Sequence, residues 1–399
     1  MDNTYKGIFL VQVQLLIDAI FDIIGYSSQL LSLERYFLLF FGAYFLIKGI
    51  ISNCRKSSLL EKVFLIWIAL ITVQGFFQIL ISGYNSIEFK QFISGLFLLN
   101  VYPFLVITEQ PLSFYKKLFT LAYKLALIEL ALQVLALLLG SGTSMYEELT
   151  MFASGIGLLM MTMFYHSPKK RKVILFIIIF NIFIMMLLIR RNKFVFFGAI
   201  LFFALMLNSL GNGTSALKYK SKTQNILISL FFILVFTFLI FFNRISYFYE
   251  DMKTGMSSRE GIIELFINDF NRCPRDWITG RGMFGQFEGG VLSTDVDNGL
   301  RANIENGYLQ LILKGGWIWL GLLMAISLIA MYRGLFKSNN ILCKGMACII
   351  LIYFIDMVGF GVPELSLKYV CVFISISGCN SKRLREYSDE KIKNQIGLI

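Results

Sequence analysis

Asn243-Arg244-Ile245-Ser246-Tyr247 opens, and Asn303-Ile304-Glu305-Asn306-Gly307-Tyr308-Leu309 closes, the one long polar segment of this chain. On both sides the sequence turns into apolar runs of roughly 17–25 residues, the length that crosses a bilayer as a helix. The runs are separated by short charged connections. One polar excursion of about 60 residues held between such runs is where chemistry is expected, because loops carry function and regular elements hold them.

Working outward, the composition agrees. The chain of 399 residues is 57% hydrophobic, with 40 Phe and 5 Pro. That apolar share exceeds what a soluble domain carries. The sequence predicts about twelve spans, roughly 7–25, 36–52, 63–82, 91–108, 118–140, 150–166, 173–189, 194–210, 224–242, 315–332, 345–360 and 365–379. In the first, Gln14, Asp18 and Asp22 fall four apart and share a helix face, as suits a polar stripe turned toward a bundle interior. A helix lying in the membrane interface is the alternative. A cleaved signal peptide is not expected, because acidic residues break that apolar run. The organisation expected is an N-terminal bundle over 1–242, a large loop over 243–311, C-terminal spans over 312–379 and a solvated tail over 380–399. The fold class expected is an all-α polytopic membrane protein.

The net charge is +12, but the cations sit in short connections rather than on a patch, so nucleic acid is not the expected partner. They set orientation instead. Lys and Arg crowd the connections at 53–62, 109–117, 167–172, 211–223 and 333–344 and the tail. This places both termini in the cytoplasm and the 243–311 loop outside. The turn Arg190-Arg191-Asn192-Lys193 breaks the rule by putting three cations on the outer face. It reads either as a tolerated exception or as an anion site.

Six cysteines are present, of which only Cys273 lies in the long loop, so no disulfide framework is expected there. The single histidine is His166, and neither a metal site nor a cofactor is expected.

Inside the loop the cations are Arg244, Lys253, Arg259, Arg272, Arg275, Arg281 and Arg301. Arginine binds phosphate oxygens in pairs and stays charged in any setting; structural ion pairing with the loop's acidic residues is the competing use. Arg259 opens a stretch with apolar residues at Ile262, Ile263, Phe266, Ile267 and Phe270, an amphipathic helix expected along the outer membrane surface. Gly280-Arg281-Gly282 permits a tight turn and close backbone approach. The segment from Glu288 to Asn303 reads as irregular. Glu305, Asn306 and Tyr308 stand where the loop rejoins the membrane. Glu305 could accept a proton from a sugar hydroxyl, or cap a helix or pair with an arginine. Within the spans, Glu129 and Gln133, and Gln74 and Gln78, share faces; Asp356 is a weaker candidate.

In the order of these motifs, over roughly 175–330, the chain resembles the superfamily of bacterial O-antigen and capsular polysaccharide polymerases (Wzy-type) and O-antigen ligases. Arg190 and Arg191 match an arginine-bearing outer turn, with Lys193 beside them. Arg259 matches an arginine-led helix, Gly280 and Gly282 a glycine turn, and Asn306, Tyr308, Leu309 and Gly315 the closing motif. Glu305 departs from the histidine that ligases carry, which weakens the ligase reading. The resemblance implies a fold like the GT-C membrane glycosyltransferases and no required metal. It implies undecaprenyl-pyrophosphate-linked oligosaccharides as substrates, with membrane lipids and a chain-length regulator as further partners, in a bacterial inner membrane. Arg191, Arg259 and Glu305 become the expected catalytic residues. Arg190, Lys193, Gly280, Arg281, Gly282, Asn306 and Tyr308 become the expected substrate-binding set. The expected function is a repeat-unit polymerase; a ligase of the same architecture and a lipid-linked oligosaccharide flippase are the alternatives.

Overall fold

A computed structural model describes residues 2–24, 29–83, 87–139, 155–187, 191–210, 261–289, 299–359 and 363–396. The expected span at 224–242, the outer connection at 141–149, and Arg190, Arg244, Lys253 and Arg259 lie outside the described residues.

The described chain is helical nearly throughout. The long elements are α1 (Asn3–Ile24), α2 (Gln29–Ser52), α3 (Leu59–Ser82), a broken segment over 87–107, and α4 (Leu112–Leu139). They continue with α5 (Ile156–Met161), α6 (Pro168–Leu187) and α7 (Arg191–Leu210). A helix over 261–271, α8, and α9 (Pro274–Thr279) belong to the loop. The chain ends with α10 (Gly307–Phe336), α11 (Ile341–Gly359), α12 (Leu367–Asn380), α13 (Lys382–Glu386) and α14 (Asp389–Ile396).

Local chemistry sets the ends. Ser58 accepts from the Glu61 amide while Glu61 reaches back to the Ser58 amide, a capping box that starts α3. Gly83, at φ 82°, ends it. Among the described residues six helices are long and apolar enough to cross a membrane: Asn3–Phe21, Glu34–Ser52, Leu59–Ser82, Leu112–Ala136, Gly307–Phe336 and Ile341–Gly359. Their outer flanks expose large apolar side chains, among them Phe40 at 70% and Ile81 at 86%. Such surface is costly in water and matched by hydrocarbon. The protein is therefore an all-α, membrane-embedded protein.

The expected spans differ from the observed helices in informative places. The run 91–108 is not one helix. Gly95, at φ 126°, interrupts it, and Pro103 lies in a 3-10 turn over Tyr102–Ile107. The described part of 150–166 holds the short α5 and a 3-10 turn at Met163–Tyr165. The last span is a helix of 14 residues, about 21 Å at 1.5 Å per residue. The span expected at 315–332 falls in a helix that starts at Gly307, where Asn306 caps it, and is broken at Gly316, so its second part begins close to the expected position. The tail is not merely solvated: Leu384, Ile392 and Ile396 of α13 and α14 are buried.

Polar contacts tie the N-terminal and C-terminal segments together, while Gln133 donates to Glu129 (2.8 Å) on its own helix α4 and to Asn181 (3.0 Å) on α6. At one end the Arg55 amide donates to the Ile107 carbonyl (2.8 Å) and the Glu109 amide to the Asn53 carbonyl (2.8 Å). There too Gln110 reaches Thr4 (3.4 Å), Asn380 donates to Glu61 (3.0 Å), Ser381 to Glu109 (2.9 Å), and Tyr165 to Asp389. The N-terminal helix and the C-terminal segment thus share one end.

The loop carries its own small core. Phe266 and Phe270 of α8 are fully buried and stack at 4.2 Å, with Trp277 and Phe287 packed edge-on against them. The predicted amphipathic helix is present from 261, and this part of its apolar face packs on the loop's own aromatics. A two-residue antiparallel pairing, Phe287–Glu288 with Leu300–Arg301, closes the segment expected to be irregular.

Candidate functional site: a lysine-lined cavity at a broken helix

The site starts from Gly316. It sits inside α10 at φ 68°, ψ −173°, and splits the helix into two parts. A break leaves the preceding carbonyls without helical donors, and buried acceptors without donors are costly. Each of the three finds another donor. The Leu313 carbonyl accepts from the Arg281 amide (2.8 Å), and the Lys314 carbonyl from the Gly282 amide (3.1 Å). The Gly315 carbonyl accepts from Trp67 Nε1 of α3 (2.9 Å). The Gly280-Arg281-Gly282 turn is the loop's clamp on the broken helix. Gly280 has φ 70°, and a Cβ there would stand 2.5 Å from the Gly315 nitrogen. At Gly282, a Cβ would press on the Gln74 side chain.

Arg281 is committed locally. It donates to Asp269 (2.5 Å) and Asp276 (2.7 Å), and its guanidinium lies over the Phe270 ring. Partial burial works to lower its pKa, but the hydrogen bonds to Asp269 and Asp276 prevail and raise it. Its geometry is that of a brace between α8, α9 and the turn. Asn306 caps α10 through the Tyr308 and Leu309 amides (both 3.1 Å) and donates to the Val358 carbonyl. Tyr308 donates to the Phe354 carbonyl (2.8 Å), tying α10 to α11. Glu305 is exposed and lines a small hollow with Ile262, Ile263 and Val358. Lys193, near the start of α7, acts electrostatically on Glu364 and Glu129. The Arg191 side chain lies outside the described residues. The expected site residues thus fall into separate groups: the glycine turn on the helix break, Asn306 and Tyr308 on the α10–α11 seam, Glu305 at its own hollow, and Lys193 beside carboxylates.

What the sequence reading left without a role is Lys314. It lines a partly open cavity of about 320 Å³ bordered by the broken 87–107 segment, the loop at 283 and 302–303, the first part of α10, and residues 363–369. Among the described lining residues it is the single charged one, beside Gln91, Asn100, Asn303 and Gln310. Lys314 donates to the Gly285 carbonyl (2.8 Å) and meets no carboxylate among the described residues. Tyr369 and Trp319 form part of the wall, and their Oη and Nε1 atoms are buried without hydrogen-bond partners among the described residues. Both interrupted segments, at Gly95 and at Gly316, border this space. The signal was legible in principle: a lysine inside an apolar run, followed directly by Gly315-Gly316, is the mark of a discontinuous membrane helix.

Behind the 363–369 segment lies a buried ion cluster. Lys368 pairs with Asp356 (2.8 Å) and Glu364 (3.1 Å), and Ser366 donates to Glu364 (2.7 Å). Burial pushes the Glu364 carboxyl up, but the Lys368 ammonium, then Lys193 and the Ser366 hydroxyl, outweigh it and hold the pKa at about 2. A folded-state value below the unfolded one contributes stability above the unfolded pKa. That contribution disappears as pH falls from near 4.5 toward 2. Thermal unfolding in detergent between about pH 6 and pH 3 is therefore expected to show a falling melting temperature, and Glu364→Gln to flatten that dependence. An unchanged slope in the variant would remove Glu364 as its source.

Comparison of the chain with protein-family models, with curated proteins and with solved structures returned no match.

Proposed function

We propose that this protein is a polysaccharide repeat-unit polymerase of a bacterial inner membrane, with the 243–311 loop on the outer face. It would transfer a growing glycan from undecaprenyl pyrophosphate to a hydroxyl of an incoming lipid-linked oligosaccharide. The anomeric carbon exchanges its bond to the pyrophosphate oxygen for one to the acceptor oxygen. The acceptor proton passes to a base, assigned to Glu305, and the lipid pyrophosphate leaves with the electron pair. The donor is already activated, so the protein's task is to stabilise charge on the leaving pyrophosphate. Arg190, Arg191 and Arg259 are assigned to that task.

The observation that carries this reading is the cavity holding Lys314 and several amides, set where a folded polar segment is clamped onto a broken apolar helix. The motif order over 175–330 supports it further. In proteoliposomes given a pyrophosphate-linked oligosaccharide on a prenyl lipid, the protein is expected to build a ladder of longer glycans. Arg191→Ala or Arg259→Ala is expected to slow elongation by about 100-fold, the scale of removing a charge-stabilising donor. Undiminished long chains in both variants would remove those residues from the mechanism. Transfer to an unrelated acceptor would favour a ligase.

A second reading rests on a specific observation. Two interrupted segments facing one cavity are also how transporters build substrate sites. Movement of labelled lipid-oligosaccharide across the bilayer, without glycan growth, would favour a flippase over an enzyme.

A further inference from the structure

The geometry points to one amphiphile site in two connected parts: the Lys314 cavity takes the pyrophosphate of a prenyl lipid, and an apolar groove next to it takes the first part of the hydrocarbon chain. The inference locates the acceptor lipid of the proposed function, whose pyrophosphate is not cleaved, while the donor's leaving pyrophosphate stays with the assigned arginines; it rests on that reading for the class of lipid.

The groove lies on the bundle flank between α2, α3 and the broken segment, with a volume of about 320 Å³. Ile47, Ile50, Ala69, Val73, Phe97 and Phe104 supply its lining. It is open to the surroundings, since Ile47 and Val73 are 38% and 51% exposed. Asn100 lines both spaces, and its amide donates to Thr72 (3.1 Å), which lines the groove. The two spaces are therefore neighbours across one side chain, one carrying a cation and the other hydrocarbon.

The cavity is supplied with donors beyond its needs. Among the described residues Lys314 has one hydrogen-bond acceptor, the Gly285 carbonyl, for its three N–H donors, and Gln91, Asn100, Asn303 and Gln310 add side-chain amides to the wall. An ammonium short of acceptors in a largely buried setting is unfavourable, and an oxyanion entering the cavity relieves that. An apolar helix of a second copy would fill the groove but bring nothing to Lys314. A free anion would meet Lys314 but leave the groove unused. A prenyl pyrophosphate matches both.

The test uses the full chain in detergent with farnesyl pyrophosphate, inorganic pyrophosphate and farnesol as probes, read by tryptophan fluorescence and native mass spectrometry. Farnesyl pyrophosphate is expected to bind at least about tenfold more tightly than either half alone. Lys314→Gln, which keeps a donor and removes the charge, is expected to weaken farnesyl pyrophosphate by about tenfold and leave farnesol unchanged. Val73→Trp, at an exposed groove position, is expected to weaken farnesyl pyrophosphate and farnesol and leave inorganic pyrophosphate unchanged. Melting temperatures of both variants establish that each is folded. Equal farnesyl pyrophosphate binding by wild type and both folded variants overturns the site. So does a groove variant whose only effect is loss of a dimer, or a cavity variant that affects inorganic pyrophosphate alone. The two readings fail separately. Glycan growth with unaltered binding in both variants sinks this site and keeps the polymerase; site-dependent binding with neither growth nor transport keeps the site and sinks the function.

Discussion

Gly316→Val is expected to leave little folded protein in detergent. The residue holds φ at 68°, and a Cβ there would press into the Ile278 carbonyl. A β-branched side chain at such a dihedral costs about 1–3 kcal/mol. Overpacking against backbone, which cannot rotate aside, costs a further ~1–3 kcal/mol. The sum is a large part of a typical domain stability of about 5–15 kcal/mol. The damage also spreads, because the Arg281 and Gly282 amides and Trp67 Nε1 are aimed at carbonyls whose positions depend on this break. Gly280→Ala meets the same seam from the loop side, at φ 70° and 2.5 Å from the Gly315 nitrogen, and is expected to be the milder lesion. Gly321→Ala in the same helix is the control: a Cβ there meets nothing within 4 Å. It is expected to be neutral, or stabilising by up to about 1 kcal/mol through helix propensity. Fluorescence-detected size exclusion and thermal melts read all three. A Gly316→Val protein that melts like wild type would show that the clamp is not needed to hold α10.

The sequence reveals composition-driven features and hides those set by partners. Of the roughly twelve spans expected, long apolar runs announce the six membrane-length helices found among the described residues, because hydrocarbon contact is a property of each run by itself. The 261–271 helix is legible from the spacing of Phe266 and Phe270. The broken run at 91–108 is not, because hydropathy averages over Gly95 and Pro103 and sees only apolar residues. Gly280 and Gly282 read correctly as a close-approach turn, yet what approaches is the α10 backbone, and nothing local names it. Lys314 is hidden for a similar reason: a single cation beside a span reads as an ordinary boundary residue until Gly316 is seen to break the helix beyond it. Arg281 reads on residue type as either a phosphate ligand or an ion-pair partner, and its pairing with Asp269, twelve positions earlier, is not written in the local sequence.

The second large effect is expected at Lys368. Its ammonium joins Asp356 and Glu364 in the interior, where the three side chains are 6%, 3% and 13% exposed. It also lies 5.5 Å from the Phe196 ring centre. Lys368→Met removes the shared cation and leaves two carboxylates facing each other with little water to screen them. Breaking a buried pair from one side typically costs about 3–5 kcal/mol. Asp356→Asn is expected to cost less, because Lys368 keeps Glu364 and the Asn amide still offers hydrogen bonds. The double variant Lys368→Met with Asp356→Leu decides between charge imbalance and simple loss of packing. It removes one charge of each sign, and Glu364 retains the influence of Lys193. If imbalance dominates, the double variant melts higher than Lys368→Met alone, although it carries one substitution more. If the double variant melts lower, by the sum of the losses measured for Lys368→Met and for Asp356→Leu alone, the cluster acts through packing and the electrostatic account is wrong. The distinction bears on the site, because Pro363, Leu365 and Tyr369 of the same segment wall the Lys314 cavity. A cluster held by charge fixes that wall from behind, so Lys368→Met is also expected to weaken farnesyl pyrophosphate binding although Lys368 does not line the cavity.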